Sequence, residues 1–152
     1  MPTTDKSVSA ERIIHAPPER IFAVLADPDQ HPAIDGSGSV RHQRPGNPVR
    51  LSLGSTFAMD MRIGMPYRIT NEVVEFEENR KIGWRHWAHN VWRYELEPVD
   101  GGTRVRETFD YTNGRGQLFL RLTGTPRKNQ QSIDKTLERL AGLCESSPAA
   151  SA

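Results

Sequence analysis

The sequence predicts an α+β fold in which a curved antiparallel sheet holds one long C-terminal helix. Three observations carry this. Between Arg127 and Glu145, the apolar residues Ile133, Leu137, Leu140, Ala141 and Cys144 recur at helical spacing. They fall within an arc of roughly 100°, the width of one buried helix face. Nearly everything from Pro45 to Tyr111 reads as strands, several with alternating polarity, which could supply the apolar surface such a helix needs. Turn signals separate those strands, so consecutive hairpins build a meander and the helices stay apart from it. The space between helix and sheet is where function would reside.

In chain order, Val8 to His15 is the first strand, with Val8, Ala10, Arg12 and Ile14 on one face and Ile13 on the other. Ala16-Pro17-Pro18-Glu19 stops it and opens a helix. Pro18 suits a first turn, where no N–H partner is lost, and Glu19 complements the positive helix end. Ile21, Phe22 and Leu25 give this short helix its apolar side. Asp27-Pro28 ends it, and Asp27 can cap a second short turn. His31 to Gly36 reads as a bend rather than a regular element, and Gly36-Ser37-Gly38-Ser39 as loop. Asp27, His31 and Asp35 are expected to fix that turn; a His–Asp pair without a nucleophile is not a triad.

Val40 to Arg44 is a short polar strand, and Pro45-Gly46-Asn47-Pro48 a turn. From Ser55 the alternation sharpens: Phe57, Met59 and Met61 face one way, Ala58, Asp60 and Arg62 the other. Gly64-Met65-Pro66 turns the chain into a long β-branched and aromatic strand, Tyr67 to Phe76, closed by a turn at Glu77 to Arg80. Lys81 to Trp87 puts Ile82, Trp84 and His86 on one face; Ala88-His89-Asn90 turns. Val91 to Val99 follows with Trp92, Tyr94 and Leu96 aligned. Asp100-Gly101-Gly102 tolerates the positive φ of a tight hairpin. Thr103 to Tyr111 is the last strand, with Val105, Glu107, Phe109 and Tyr111 on one side. Leu118, Phe119 and Leu122 suggest a short helix, and Thr125-Pro126 a cap and first turn for the long one. The order is strand, two short helices, six antiparallel strands, long helix.

A chain of 152 residues fits one domain, residues 1–152, with an ordered core of about 7–145. Twenty Lys+Arg against 19 Asp+Glu give no broad electrostatic footprint, so no nucleic-acid partner is expected. No apolar run resembles a secretory signal or approaches the ~20 residues of a membrane span. The expectation is a cytoplasmic protein without stable membrane insertion, a monomer or weak dimer. The single cysteine, Cys144, lies on the apolar helix face and reads as a small buried hydrophobe rather than a reactive thiol. His86 and His89, three apart on a strand, would face opposite sides, and His15, His31 and His42 show no ligand spacing. No metal and no cofactor are expected.

The stretch Ile14-His-Ala-Pro-Pro-Glu-Arg-Ile-Phe-Ala-Val-Leu-Ala-Asp-Pro28 resembles the opening of the SRPBCC superfamily, in its polyketide cyclase/dehydrase and lipid transport branch. Trp84-Arg-His86, Trp92-Arg-Tyr-Glu-Leu-Glu-Pro98 and Gly101-Gly-Thr-Arg-Val105 are similar to the hairpin of that branch, and Leu137-Glu-Arg-Leu140 to its closing helix. The order and spacing of these segments, over roughly residues 7–145, carry the resemblance. It implies the helix-grip fold of the birch-pollen allergen and the START domains: seven antiparallel strands around a C-terminal helix, two short helices at one end, and a hydrophobic tunnel between. Members bind lipids, sterols, hormones or polyketides, and a minority are cyclases or hydrolases. The branch has no universal catalytic motif, so no catalytic residue carries over.

Glu107 shares strand parity with Val105 and Phe109, and a carboxylate on that side is costly unless paired or protonated. It could orient a ligand or serve as acid or base; alternatively it sits near solvent or pairs with an arginine. His86, with the parity of Trp84, could hydrogen-bond a ligand, act as a base or cap a rim. Phe57, Met59, Met61, Trp84, Trp92, Tyr94 and Phe109 fit a pocket wall and a core wall equally; the resemblance favours the pocket. Gln130, near the apolar arc of the helix, could present its amide to a ligand or cap the helix start. Ile133 and Leu137 complete the ligand-binding set from the helix side. Arg62, Arg85, Arg93, Arg104 and Arg106 would form a solvated face with Asp60, Glu95 and Asp110. Three functions compete: a carrier or sensor of a small hydrophobic molecule, a cyclase or dehydratase using Glu107 and His86, and a protein-interaction module.

Overall fold

The computed structural model describes residues 7–86, 90–111 and 125–145. Strand β1 (Ser7–Ile14) leads into helix α1 (Pro18–Leu25), a 3₁₀ turn (Pro28–Gln30) and the single-turn helix α2 (His31–Ile34). Strands β2 (Val40–Gln43), β3 (Thr56–Ile63), β4 (Met65–Glu77), β5 (Lys81–Arg85), β6 (Val91–Val99) and β7 (Gly102–Asp110) follow, and helix α3 (Thr125–Glu145) closes the order. The strands form one antiparallel sheet of seven in the order β1-β7-β6-β5-β4-β3-β2. Strands β2 to β7 are thus a meander, and β1 returns to pair with β7. Asp100-Gly101 joins β6 to β7 with Gly101 at φ 81°, a value open to glycine without steric cost.

Helix α3 lies across the β1 and β7 side of the sheet and touches α2. Ile133, Leu137, Leu140, Ala141 and Cys144 are all buried, as their spacing predicts. Each large aliphatic buried this way contributes about 1.5–3 kcal/mol. Polar contacts fix the helix lengthwise. The Gly36 N–H donates to Thr136 Oγ1 at 2.8 Å, and Arg139 donates to the Asp35 carbonyl at 2.7 Å. Arg20 donates to the Cys144 carbonyl at 3.0 Å, satisfying an acceptor at the helix end. Gly36 packs so close to α3 that a Cβ there would overlap the Ser132 carbonyl oxygen and the Thr136 nitrogen.

Several element boundaries differ from the sequence expectation. Residues 31–34 form a helical turn, not a bend: Pro32 occupies a first-turn position, and burial of His31 and Ile34 holds the turn in place. Helix α3 starts at Thr125, so Thr125 and Pro126 belong to it rather than precede it. Strand β5 ends at Arg85, which leaves His86 just past its end. The expected turn at Ala88-His89 and the short helix at Leu118, Phe119 and Leu122 lie outside the described residues. Asp27 does cap the 3₁₀ turn, accepting the Asp29 N–H at 3.0 Å.

Candidate functional site

The inner face of the sheet, toward α3, is organised in two cross-strand rows. One runs Val73–Trp84–Trp92–Phe109–Val8 and the next Phe76–Ile82–Tyr94–Glu107–Ala10. Strand alternation alone places Glu107 inward, two residues from Val105 and two from Phe109. It is 2% exposed. Its partner is neither solvent nor an arginine. The Tyr94 hydroxyl, directly opposite on β6, donates to Oε2 at 2.9 Å. Oε1 is buried and has no hydrogen-bond partner among the described residues.

Burial pushes the Glu107 carboxyl well above the usual carboxylate range; the Tyr94 hydrogen bond opposes this, and the negative charges of Asp35 and Asp134 add to it. Burial also raises the Tyr94 phenol well above its ordinary value, helped by Glu107. Both shifts favour the protonated, uncharged forms of the pair. A protonated carboxyl donates through one oxygen and accepts through the other. Tyr94 donates to Oε2, so a protonated carboxyl would have Oε1 left to donate, and no partner for that oxygen stands among the described residues.

His31 joins this site although its sequence position suggested only a role in the turn. Its ring stacks on Trp84 with centroids 4.9 Å apart and meets the Phe57 edge at 5.4 Å. Trp84 in turn contacts Phe57 at 5.5 Å and Tyr94 at 5.6 Å. The chain Phe57–His31–Trp84–Tyr94–Glu107 therefore carries three titratable groups, His31, Tyr94 and Glu107, along one aromatic wall. His31 Nε2 lies 2.8 Å from the Leu25 carbonyl, which can only accept, so Nε2 carries the proton. Burial lowers the His31 pKa, and the imidazole is neutral. The available sign of its role was the apolar company around it: Leu25, Pro32 and Ile34.

The other nominated residues divide by position. Met59 is buried beside Phe57 on β3, and Met61 is half-buried toward the sheet edge. Trp92 and Phe109 form a second aromatic group, 4.7 Å apart, which Tyr111 extends at 5.7 Å from Phe109. Ile133 and Leu137 are buried on α3. Gln130 is tied to the sheet: its Nε2 donates to the Ser9 carbonyl at 2.9 Å. His86 is half-buried and does not converge with Glu107. Glu107 shares a row with Ile82, and His86 lies four residues further along, about 13 Å in strand rise. Asn90, buried with Oδ1 unpartnered among the described residues, was not foreseen. Cys144 is an inert buried thiol, its pKa pushed up to about 11 by burial. Among the described residues, no three His, Cys, Asp or Glu side chains gather as a metal site. None of the helices there is long and apolar enough to cross a membrane.

A seven-stranded antiparallel sheet gripping a C-terminal helix over an aromatic inner wall defines a helix-grip protein of the SRPBCC superfamily. The family described as "Polyketide cyclase / dehydrase and lipid transport" matches residues 5–145, and the chain belongs to it. A protein of Mycobacterium tuberculosis is 38% identical over 143 residues, covering 88% of this chain and 62% of its own length. The chain thus spans about three-fifths of that relative. Among solved structures, a protein of Nitrosomonas europaea superposes with a TM-score of 0.73 at 14% identity, covering 96% of this chain and 98% of its own. An AHSA1-like protein of Aeromonas hydrophila gives 0.67 at 21% identity, covering 95% and 94%. These structures share the fold.

Proposed function

We propose that the protein binds a small, mainly hydrophobic molecule between the sheet and α3, working in the cytoplasm as a monomer or weak dimer. The observation that carries this is the unpartnered Oε1 of buried Glu107, on a wall of Phe57, Trp84 and Tyr94. An apolar surface with one placed polar group is the usual composition of a ligand site. A neutral carboxyl there would donate to a carbonyl or hydroxyl oxygen of the guest. The family description, with its lipid-transport branch, supports the same class of ligand. Soaking the protein with a lipid extract, then native mass spectrometry, tests this. A retained adduct that is lost in Glu107→Leu but kept in Glu107→Gln is expected. A protein that always emerges bare would overturn it.

A second reading is a cyclase or dehydratase. It is favoured by the raised pKa of Glu107, which suits a general acid at neutral pH. The neutral His31 of the same wall, rather than the distant His86, is then the candidate for a second group. Loss of turnover in both Glu107→Gln and His31→Gln, with ligand still bound, would favour catalysis over carriage. The interaction-module reading requires a contiguous exposed apolar patch. Among the described residues the exposed large apolar ones are Ile13 on β1, Val49 and Leu53 in the β2–β3 connection, Met65 and Tyr67 on β4 and Leu143 on α3, at most two to a segment.

A further inference from the structure

The outer face of the sheet treats its arginines in two ways. On β5, β6 and β7 each is matched to a carboxylate. Arg85 meets Glu72 at 3.3 Å, Arg93 meets Glu75 at 2.6 Å, Arg104 meets Glu97 at 2.7 Å and Arg106 meets Glu11 at 2.9 Å. At the other end, β2, β3 and β4 bring Arg41, Arg44, Arg62 and Arg68 together with His42 around an open groove of about 690 Å³. Among the described residues Asp60 is the one carboxylate lining it, and Arg44 holds it at 3.1 Å. Among the described residues, no carboxylate pairs with Arg41, Arg62 or Arg68.

Register explains the gathering. Asp60 stands between His42 on β2 and Arg68 on β4, and Arg62 stands opposite Pro66 one row on. A register shift in β2 between Val40 and His42 adds Arg41 to the same edge. Like charges on neighbouring strands repel. The formal net charge of the whole chain is only +1, so this concentration is local. Guanidinium groups present paired donors that match phosphate oxygens in a bidentate manner. The groove's volume is that of a small-molecule site.

We propose that this groove binds a phosphate group, carried by a small ligand or by a lipid headgroup, through Arg41, Arg62 and Arg68. The groove shares Met61 with the inner face but none of Glu107, Tyr94, Trp84 or His31, and the proposal does not rest on the function proposed for that wall.

The test is a titration of isotopically labelled full-length protein, read by backbone amide shifts. One arm uses inorganic pyrophosphate; the other uses phosphatidylglycerol vesicles, with phosphatidylcholine vesicles as control. Saturable shifts at Arg41, His42, Arg62 and Arg68 are expected in at least one arm. Arg62→Gln/Arg68→Gln should weaken that binding by about tenfold or more. Arg104→Gln, on the same face but paired, should leave it unchanged. Arg41→Gln, at an exposed position, should weaken the same binding, and binding unchanged in both this variant and Arg62→Gln/Arg68→Gln would overturn the proposal. Saturation by pyrophosphate alone assigns a free phosphate compound, and binding to anionic vesicles alone assigns a headgroup; either upholds phosphate recognition. No shift in either arm, or equal weakening by Arg104→Gln, would overturn it. So would tight binding of a single-stranded oligonucleotide with no response to pyrophosphate or vesicles.

Discussion

Two glutamates on one sheet have opposite fates. Glu75, on β4, faces outward and accepts from Arg93 Nε at 2.6 Å and Nη2 at 2.8 Å. Gly83 lies between them in register, and its missing side chain leaves room for the pair to meet across β5. The Arg93 hydrogen bonds hold the Glu75 carboxyl below its usual range. Glu107 faces inward, has only a tyrosine hydroxyl as partner among the described residues, and burial raises its carboxyl well above the usual range. The outer face resolves charge with counterions. The inner face favours the protonated form and, among the described residues, leaves one oxygen of the carboxyl unmatched, the condition a ligand would relieve.

This contrast predicts opposite pH dependences. A carboxyl raised on folding binds more protons in the native state, so its contribution falls as pH rises above the unfolded value near 4.5. Relative to Glu107→Gln, the native protein should lose about 1.4 kcal/mol per pH unit above that point until the folded pKa is reached. Denaturant unfolding at a series of pH values measures this, and a pH-independent difference would break the comparison. His31 acts in reverse: its lowered pKa makes the protein less stable as pH falls below 6.5. Comparing variant with native protein at each pH isolates the Glu107 contribution.

A smaller effect is expected for Tyr94→Phe. Removing the hydroxyl leaves Oε2 as bare as Oε1, a cost of about 1–3 kcal/mol in thermal or denaturant unfolding. Glu75→Gln should cost less, about 0.5–1.5 kcal/mol at neutral pH, because the pair is partly exposed. Its sign with pH is opposite to that of Glu107: the stabilisation is present above 4.5 and disappears as pH falls through the depressed folded value. Smallest is Arg104→Ala, below about 1 kcal/mol, since its ion pairs are solvent-exposed. An Arg104 effect larger than that of Tyr94→Phe would show that the outer face, not the inner, holds the higher stakes.

Much of this was legible in the chain because it depends on local period. Alternation along β7 alone turned Glu107 inward, and the 3.6-residue spacing alone chose the buried face of α3. Features set by register between distant strands were not legible. Tyr94 meets Glu107 only because β6 and β7 pair in one alignment, and that same alignment puts His86 about four residues from the Glu107 row. Outward arginines could be identified by parity, but not their partners: Arg93 takes Glu75 on β4, and Arg104 and Arg106 reach Glu11 on β1. His31 was hidden for a different reason. Its neighbours Asp27, Pro28 and Pro32 signal a turn so strongly that the direction of its ring, fixed only by the packing of Trp84 and Phe57, left no periodic trace.

The most direct measurement is the carboxyl carbon resonance of Glu107, followed by nuclear magnetic resonance from about pH 3 to pH 8 with Glu75 as internal reference. Glu107 should stay in its protonated form well past 4.5 while Glu75 is already ionised, and it should shift when a hydrophobic guest with a carbonyl or hydroxyl group is added. A Glu107 that titrates together with the exposed glutamates, and ignores every such guest, would contradict the account.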